Sequence, residues 1–504
     1  MYNNTKRGGV GVRKKQILAF DFGASSGRAV LAELNQGMLD ITEIHRFSND
    51  PVIVNGTMYW DILRLWYEIK VGITKAVNSG GFDALSIDSW GVDFGVIDAQ
   101  GKLLGNPVHY RDKRTYDMPE KVFAKISKEE LYKRTGIQHM HFNTLYQLAY
   151  MCENEQNILD NTDKFLMIPD LFAYFLTGEK RGEITNLSTT NMFSPINMEW
   201  DEEIIKRIGI DENILPTPIN AGSVYGNILP EICEELGCES VPVIAVGSHD
   251  TASAVAACPA IDNDFVYISS GTWSLFGTEL PEPLINQKAM RANFTNEIGY
   301  GKTIRFLKNI MGLWIIQESR RQWIREGNEA DFGTLEREAE NAEPFKCFID
   351  VDDPVFEAAG NIPLRIQEYC KKTGQYVPQS RGEIMRCIYD SLAMKYKYTL
   401  NTLEQITGRK YKNIHIVGGG IKDALLCRQT ADACGAAVHA GPAEATIMGN
   451  AAVAFIALNA VKDLKEAREL IRDSIDIKIY EPQNASLWDE NYSRYIGIIK
   501  SEGK

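Results

Sequence analysis

Residues 16–34 read QILAFDFGASSGRAVLAEL, and this stretch indicates the fold more strongly than any other part of the chain. Ile17–Phe22 is a short apolar run that predicts a buried strand, and Arg28–Leu34 is rich in strand-forming residues. The small residues between them predict a tight hairpin turn. After the turn signal at residues 35–37, Leu39–Phe47 predicts a third strand. The chain therefore opens with a β-meander, whereas a Rossmann unit passes directly from its first strand into a helix.

The turn between the first two strands, residues 23–27, has the composition of an anion-binding loop. Its backbone N–H groups and hydroxyls suit a phosphate, and Asp21 at the strand end is suited to hold Mg²⁺ through water. The same letters match the Gly-x-Ser-x-Gly elbow of serine hydrolases, with Ser25 or Ser26 as nucleophile. Such an elbow must lead into a helix, and here a strand is predicted. An ordinary hairpin without a ligand is the third interpretation.

A second chemical motif is Gly247–Thr251, which follows the predicted strand Val241–Gly247 and precedes a small-residue helix. A carboxylate at Asp250, near a helix start, is suited to accept the proton of an attacking hydroxyl during phosphoryl transfer. The alternative is a helix-capping aspartate beside a structural histidine.

The second half of the sequence repeats the opening pattern. Phe265–Ser270, the turn at residues 270–272 and Trp273–Leu280 again give strand, small-residue turn and strand. Later, Ile414–Val417 predicts a strand that runs into Gly418–Gly420 and a helix, a junction where a phosphate or a flat ligand can approach the backbone closely. The sequence therefore predicts two similar α/β halves that join near residue 260.

The net charge, the first fifteen residues and the cysteine content limit the classes of protein to which this chain can belong. The 504 residues carry a formal net charge of −13, which argues against non-specific binding to nucleic acid or to an anionic membrane. The basic segment at residues 1–15 lacks the apolar stretch of a signal peptide and is predicted to be a flexible tail. Nine scattered cysteines without a Cys-x-x-Cys pair predict reduced thiols and a cytoplasmic protein.

Ten sequence blocks, in this order, resemble the FGGY carbohydrate kinases, a branch of the actin-like ATPase superfamily. The resemblance covers residues 16 to about 485 and rests on AFDFGASSGRAVLAEL, EIHRFSN, SIDSWGVDFGVID, YRDKRT, FNTLYQL, GSHDTASAV, YISSGTWSL, LKNIMGLWIIQ, HIVGGG and ADACGAAVHAGPAEATIMGN. It implies an α/β fold with two actin-like (ribonuclease H-like) domains and an interdomain cleft. The domains are predicted at residues 16–259 and 260–480, followed by a C-terminal extension at 481–504.

The resemblance also implies roles for individual residues. Asp250 is implied as the general base, and the sugar contacts would be Gly91, His249, Asp250, Thr251 and Asn309. The nucleotide contacts would be Ala24, Ser25, Ser26, Gly27, Arg28, Thr272, Gln317 and Gly419.

The implied reaction transfers the γ-phosphoryl group of ATP, with Mg²⁺, to the primary 1-hydroxyl of a 6-deoxy-ketohexose. L-Rhamnulose is the first expectation, with L-fuculose or a pentulose as alternatives. A non-enzymatic actin-like ATP switch would keep the phosphate turns but would not need a carboxylate beside the sugar. Asp250 therefore discriminates between the two functions.

Two further motifs invite other interpretations. His139 and His141 would lie on one face of a strand, a pattern that some metal sites use, but no other ligands accompany them at obvious spacing. Residues 299–303, GYGKT, suggest a P-loop, yet Asn296 stands where that motif requires its first glycine. We predict a hairpin there.

Overall fold

The computed structural model describes residues 15–35, 37–262 and 264–501. The flexible tail predicted at residues 1–15 lies outside these ranges except for Lys15. No helix among the described residues combines the length and the apolarity that a membrane-spanning segment requires.

The first half of the chain contains the following strands and helices. The strands are β1 (Gln16–Phe22), β2 (Ser26–Asn35), β3 (Met38–Ser48), β4 (Val52–Val54), β5 (Thr57–Tyr59), β6 (Ala84–Ser89), β7 (Phe94–Ile97), β8 (Lys164–Met167), β9 (Arg181–Glu183), β10 (Phe193–Ser194), β11 (Glu199–Trp200), β12 (Thr217–Ile219), β13 (Val224–Asn227) and β14 (Pro242–Ile244). The helices are α1 (Ile62–Asn78), α2 (Met118–Phe123), α3 (Lys128–Thr135), α4 (Thr144–Asn154), α5 (Gln156–Leu159), α6 (Ile168–Thr177), α7 (Ile184–Leu187), α8 (Glu202–Ile208), α9 (Pro230–Leu236) and α10 (Asp250–Ala256).

The second half contains the remaining elements. The strands are β15 (Val266–Ser270), β16 (Trp273–Leu280), β17 (Thr295–Ile298), β18 (Ile304–Met311), β19 (Asn413–Val417), β20 (Ala437–Ala440) and β21 (Lys478–Tyr480). The helices are α11 (Gln287–Arg291), α12 (Trp314–Arg325), α13 (Phe332–Asn341), α14 (Ile362–Lys372), α15 (Arg381–Thr407), α16 (Ala424–Cys434), α17 (Ala445–Ala457), α18 (Leu464–Ser474) and α19 (Ala485–Ser501).

Each half is built on one mixed sheet, and the two sheets share a core of five strands with the same order and directions. The first has the order β13-β14-β6-β1-β2-β3, and the second has the order β17-β18-β16-β15-β19-β20-β21. In each, an antiparallel hairpin (β1–β2, β15–β16) is followed by two parallel strands (β6 and β14, β19 and β20) and then by an antiparallel edge strand. The predicted fold class, two actin-like α/β domains, is confirmed.

The opening prediction of a hairpin also decides between the two catalytic interpretations of residues 23–27. β1 and β2 are antiparallel neighbours, with Asp21 opposite Arg28. Since a nucleophile elbow must turn from a strand into a helix, the serine-hydrolase interpretation is excluded. The hairpin predicted in place of a P-loop is confirmed as well, because β17 pairs antiparallel with β18 across residues 299–303.

Two regions of the sequence differ from what their composition predicts. Val92–Asp98 predicts a strand, but the strand begins only at Phe94, because Val92 has φ = 69°, a left-handed conformation that a strand cannot contain. Residues 120–235 predict mainly helices, with breaks at proline and glycine residues, but this region also contains the short strands β8 to β13. These strands have two to four residues each, too few to show an alternating pattern.

The two halves pack together through helices. α17 from the second half lies against α10 and β1 of the first half. A Cβ atom at Gly449 on α17 would lie 1.8 Å from the backbone oxygen of Ser253 on α10, so the two helices approach as closely as glycine permits. Asn450, next along α17, donates to a carboxylate oxygen of Asp88 on β6 at 2.5 Å. This hydrogen bond connects a helix of the second half to the central sheet of the first half.

The predicted C-terminal extension packs against the second half. In α19, Trp488 and Tyr495 are buried, and their rings contact Phe345 and Phe348 respectively. The domain boundaries at residues 259/260 and 480/481 stay predictions.

Candidate active site

A cavity of about 570 Å³ lies between the two halves. Most of the sequence-predicted site residues line it, namely Asp21, Ala24, Ser26, Arg28, Gly91, His249, Asp250, Thr251, Thr272, Asn309 and Gly419. They come from both sheets, although the sequence separates the first from the last by almost 400 positions.

Three predicted residues do not line this cavity. Ser25 is exposed at the tip of the β1–β2 turn. Gly27 is buried behind it, where a Cβ atom would lie 2.3 Å from the Phe47 ring. Gln317 lies on α12 and is half-buried. Glycine is needed at position 27 because any side chain would collide with Phe47, and Gly27 itself does not line the cavity.

The β1–β2 turn is held rigidly at the cavity edge. The Gly23 N–H donates to the Ser26 carbonyl at 2.9 Å, and the Asn49 side chain donates to the Gly23 carbonyl at 2.9 Å. The Asn49 N–H donates to the Ser25 carbonyl at 3.1 Å. These three hydrogen bonds occupy carbonyl oxygens of the turn. Because the negatively polarised oxygens are bound within the protein, the arrangement suits a turn that meets an anion.

Arg28 joins the first turn to the second half of the molecule. Its guanidinium donates to one Asp21 carboxylate oxygen at 2.8 and 3.0 Å and also pairs with Glu444 at the start of α17. Burial lowers the pKa of Arg28, but the charges and hydrogen bonds of Asp21 and Glu444 outweigh this effect and raise it. The cation is therefore permanent and faces the cavity where phosphates would lie.

The second turn, Gly271–Trp273, has a similar internal hydrogen bond. The Gly271 N–H donates to the Trp273 carbonyl at 2.9 Å, and the Leu313 N–H donates to the Gly271 carbonyl at 3.0 Å. Gly418 and Gly420 pack directly on Ser270, where a Cβ atom at Gly420 would lie 2.0 Å from the Ser270 hydroxyl oxygen. Gly419, between them, has open space in front of it. The triple glycine thus combines close packing with an accessible backbone.

Asp250 is the first residue of α10 and lines the cavity. Its position is set by Ser248, whose carbonyl accepts from the Ser89 N–H at 2.9 Å, and whose N–H and hydroxyl donate to buried Glu183 at 3.1 and 2.9 Å. Thr251 donates its hydroxyl to the Asp250 carboxylate at 3.1 Å. A carboxylate held at a helix start and open to the cavity is placed as a general base requires.

The pH dependence of catalysis follows from this environment. Burial raises the pKa of Asp250; the charge of His249 opposes this effect and that of Asp21 adds to it. A base with a raised pKa is lost to protonation at a higher pH, so the acid limb of log kcat/KM should lie above the ordinary aspartate value of about 3.9. Asp21→Asn should move that limb to lower pH. A limb in both proteins at the ordinary value would contradict this placement.

Asp21 and Asp250 line the cavity, and the carboxyl group of Asp88 is buried near them. Asp21 and Asp88 are register partners on the parallel strands β1 and β6. Burial, and then the charges of Asp21 and Asp250, raise the pKa of Asp88 well above its usual range. Its Oδ1 atom is buried and, among the described residues, has no hydrogen-bond partner. A hard divalent cation would relieve this repulsion, so the residues present fit Mg²⁺.

His249 is held from the second half of the molecule. Its Nδ1 atom lies 3.1 Å from the Arg305 guanidinium on β18 and 3.3 Å from a Glu297 carboxylate oxygen on β17, and its Nε2 atom lies 3.5 Å from Asp250. Arg305 is fully buried. Glu297 and Arg305 were missed by sequence reasoning, because only the pairing of the two halves brings them to the histidine.

Two further predicted sugar residues also depend on contacts that sequence reasoning missed. The side-chain amide of Asn309 donates to the side-chain oxygen Oε1 of Gln138 at 2.9 Å. Gly91 lies against Thr189, whose methyl and hydroxyl groups would both be 3.1 Å from an added Cβ atom. Gln138 and Thr189 line the cavity themselves. Gln138 directly precedes the His139-x-His141 pair in the sequence.

Asp93 organises one wall of the cavity although it is fully buried. One of its carboxylate oxygens accepts from the Trp60 indole at 2.6 Å, the Trp90 indole at 3.0 Å and the Tyr110 N–H at 3.2 Å. The other accepts from the Gln147 amide at 3.0 Å. Trp90 and Tyr110 line the cavity. Burial raises the pKa of Asp93 to about 6 despite these donors.

If this cavity binds a sugar, as the family resemblance implies, Asp93→Asn should impair sugar binding selectively. In the variant, an amide N–H replaces one of the two carboxylate oxygens and faces a hydrogen-bond donor. At least one charge-assisted hydrogen bond, worth about 1.5–3 kcal/mol, is therefore lost. We expect the KM for the sugar to rise by about tenfold or more, with the KM for ATP unchanged. Asp98→Asn, at a turn outside the cavity, is the matched control. Equal effects of the two substitutions on the sugar KM would contradict the role of Asp93.

The two histidines singled out in the sequence face different aromatic partners. The His139 Nδ1 atom lies 3.2 Å from the Tyr146 hydroxyl, whereas His141 packs edge-on against Tyr116 and Phe142. Burial lowers the pKa of His139 to about 4. Neither belongs to a cluster of three or more metal-ligating side chains among the residues that the structure describes.

Family models and curated relatives cover nearly the whole chain. The N-terminal domain of the FGGY family of carbohydrate kinases matches residues 16–257, and the C-terminal domain of the same family matches residues 266–458. A rhamnulokinase of Bacteroides thetaiotaomicron is 39% identical over 97% of this chain and 100% of its own length. Rhamnulokinases of Oceanobacillus iheyensis and Bacillus subtilis are each 42% identical over 92% of this chain and 97% and 95% of their own lengths.

Solved structures share the fold. A xylulose kinase from Lactobacillus acidophilus superposes with a TM-score of 0.82 at 17% identity, covering 97% of this chain and 98% of that one. A glycerol kinase from Plasmodium falciparum, solved with ADP, superposes with a TM-score of 0.79 at 15% identity, covering 97% of each chain.

Proposed function

The chain belongs to the FGGY family of carbohydrate kinases, and from this premise we propose that it transfers the γ-phosphoryl group of ATP to the 1-hydroxyl of L-rhamnulose, a step in rhamnose breakdown. The observation that carries the proposal is that Asp250, both phosphate-sized turns and the triple glycine face one cavity. The identity of about 40% to rhamnulokinases over nearly the full length supports the choice of sugar.

In the proposed reaction the first half supplies most of the sugar site and Asp250, and the second half holds the adenosine at the Gly418–Gly420 junction. His249, Thr251, Asn309 and Gly91 orient the ketose so that its 1-hydroxyl faces the Asp250 carboxylate. Asp250 accepts the hydroxyl proton while that oxygen forms a bond to the γ-phosphorus in line with the breaking bond to the β-phosphate oxygen. The products are the sugar 1-phosphate and ADP, and the proton on Asp250 then passes to solvent.

The phosphates would lie between the two turns. Arg28 offers a fixed positive charge on one side, and the backbone near Thr272 and Gly419 lies on the other. Asp21, with Asp88 behind it, would hold Mg²⁺ through water. When bound, Mg²⁺ neutralises charge on the β- and γ-phosphates. Closure of the two halves would exclude water from the transferred group and limit ATP hydrolysis.

A coupled ADP-release assay across a panel of ketoses tests the proposal. We expect the highest kcat/KM with L-rhamnulose, lower values with L-fuculose and pentuloses, and little ADP release without sugar. Faster turnover with another ketose would overturn the choice of substrate. ADP release that no sugar stimulates would favour the non-enzymatic switch. A location in the cytoplasm, expected from the cysteine content, belongs to the same proposal.

A further inference from the structure

The second half contains a buried cysteine cluster that the proposed reaction does not use. Cys347 lies in the segment between α13 and α14, Cys370 lies on α14 and Cys387 lies on α15. Their sulfur atoms all lie within 4.8 Å of one another, and each residue is at most 3% exposed. None of the three lines the cavity between the halves. The sequence spreads them over 41 positions, so only the fold reveals the cluster.

The spacing suits three sulfur ligands around one ion. A thiophilic ion with metal–sulfur bonds of about 2.3 Å in a trigonal plane places its ligands about 4 Å apart. All three cysteines are free thiols in the structure. The cluster contains no histidine or carboxylate, so its ligands are uniformly soft, a set that selects Zn²⁺, Cu⁺ and chemically similar ions over Mg²⁺ or Ca²⁺.

The segment that carries Cys347 is already fixed in place. Its backbone N–H groups donate to three side chains of neighbouring elements: Phe345 to Asp390 at 2.7 Å, Phe348 to Gln375 at 2.9 Å and Ile349 to Ser391 at 2.9 Å. Cys370 and Cys387 lie on helices that pack against each other. Little ordering therefore remains for an ion to impose, which favours binding.

We propose that Cys347, Cys370 and Cys387 form a binding site for a thiophilic metal ion or the trivalent metalloid arsenic, held by three cysteine sulfurs. With arsenous acid, three As–S bonds replace three As–O bonds, the three thiol protons leave in three water molecules, and the buried complex is neutral. With Zn²⁺ or Cd²⁺, three protons are released to the buffer and the complex keeps one negative charge. The Arg494 guanidinium, which donates to the Phe345 and Lys346 carbonyls at 2.5 and 2.7 Å, lies beside Cys347 to balance that charge.

Anaerobic titration of the reduced full-length chain with Cd²⁺, Zn²⁺ and arsenite tests the proposal. Ultraviolet thiolate-to-metal absorption reports Cd²⁺, and mass spectrometry of the native protein reports the stoichiometry of all three. We expect one tight equivalent of each ion. Each of the variants C347S, C370S and C387S should weaken binding by at least about tenfold, since one ligand of three is lost. C152S, a thiol outside the cluster, is the control and should bind like wild type.

If a variant fails to fold, X-ray absorption of the wild-type Cd²⁺ complex still tests the proposal, because it measures the number of sulfur neighbours of the bound ion. Three or more sulfur neighbours, with the three cysteines protected from alkylation, would support the site. Fewer sulfur neighbours, or binding that C152S weakens as much as the cluster variants do, would overturn it. A disulfide between two of the three cysteines in freshly purified protein would also overturn it. Kinase activity is not a readout here, so the outcome is independent of the proposed function.

Discussion

Asp250→Asn should lower kcat by about two to four orders of magnitude, the usual scale for loss of a general acid–base group. The substitution keeps the shape of the side chain and its contact with Thr251 but removes the proton acceptor that faces the cavity. The KM for ATP should change little, because Asp250 lies on the sugar side of the phosphate turns. Initial rates with L-rhamnulose and ATP, together with nucleotide binding by calorimetry, measure both effects.

Asp473→Asn is the matched control for that experiment. Asp473 is exposed on α18 and pairs only loosely with Arg472 at 3.4 Å, a surface contact worth about 0–1 kcal/mol. Its kcat should equal that of the wild type. If Asp250→Asn also kept wild-type turnover, another group would have to remove the proton, and the role assigned to Asp250 would be wrong.

Gly449→Ala should destabilise the molecule and reduce activity together. The new methyl group would lie 1.8 Å from the Ser253 backbone oxygen, so the α10–α17 contact must open. Overpacking of this kind costs about 1–3 kcal/mol or more. Because α10 begins with Asp250, the same shift displaces the carboxylate from the cavity. We expect a lower thermal midpoint and a kcat reduced by at least about tenfold, since misplacement by 1 Å costs up to a hundredfold.

Gly497→Ala provides the control for the glycine substitution. Gly497 also lies within a helix, α19, but an added Cβ atom would meet nothing within 4 Å. Replacing glycine by alanine at an open helical position should stabilise by about 0.5–1 kcal/mol. A thermal midpoint of Gly449→Ala equal to or above that of the wild type would show that the helix pair is not tightly packed in solution.

The fold could be predicted where neighbouring residues in the sequence determine the local structure. Apolar runs separated by small-residue turns marked β1–β2 and β15–β16, since short hairpins are encoded by neighbouring residues. The start of α1 is also encoded locally, because the side chain of the N-cap residue Asp61 accepts from the Arg64 N–H. The short strands between residues 164 and 227 escaped prediction because each is too brief to show a pattern, and β8, β9 and β12 also pair with strands far away in the sequence.

Only part of the site could be predicted from the sequence, because some of its residues stand in local motifs and others meet partners that are distant in the sequence. Asp250 and Gly419 stand in distinctive local motifs, so their chemistry could be inferred from type and spacing. Glu297, Gln138 and Asp93 act through side chains that meet their partners across the fold, and no local pattern marks them. Asp93 lies inside the block SIDSWGVDFGVID, which carried the family resemblance, but its hydrogen bonds to two tryptophans require coordinates.

The proposed meeting of sugar, Asp250 and γ-phosphate can be observed in a crystal structure of the wild-type chain with L-rhamnulose and a non-hydrolysable ATP analogue. We expect an Asp250 carboxylate oxygen within about 2.6–3.2 Å of the sugar 1-hydroxyl oxygen. We also expect the γ-phosphate between the turns at residues 23–28 and 271–273, with that hydroxyl in line behind the phosphorus, and these positions make up the proposed site. A sugar whose 1-hydroxyl meets a different side chain, or a γ-phosphate outside these two turns, would contradict it.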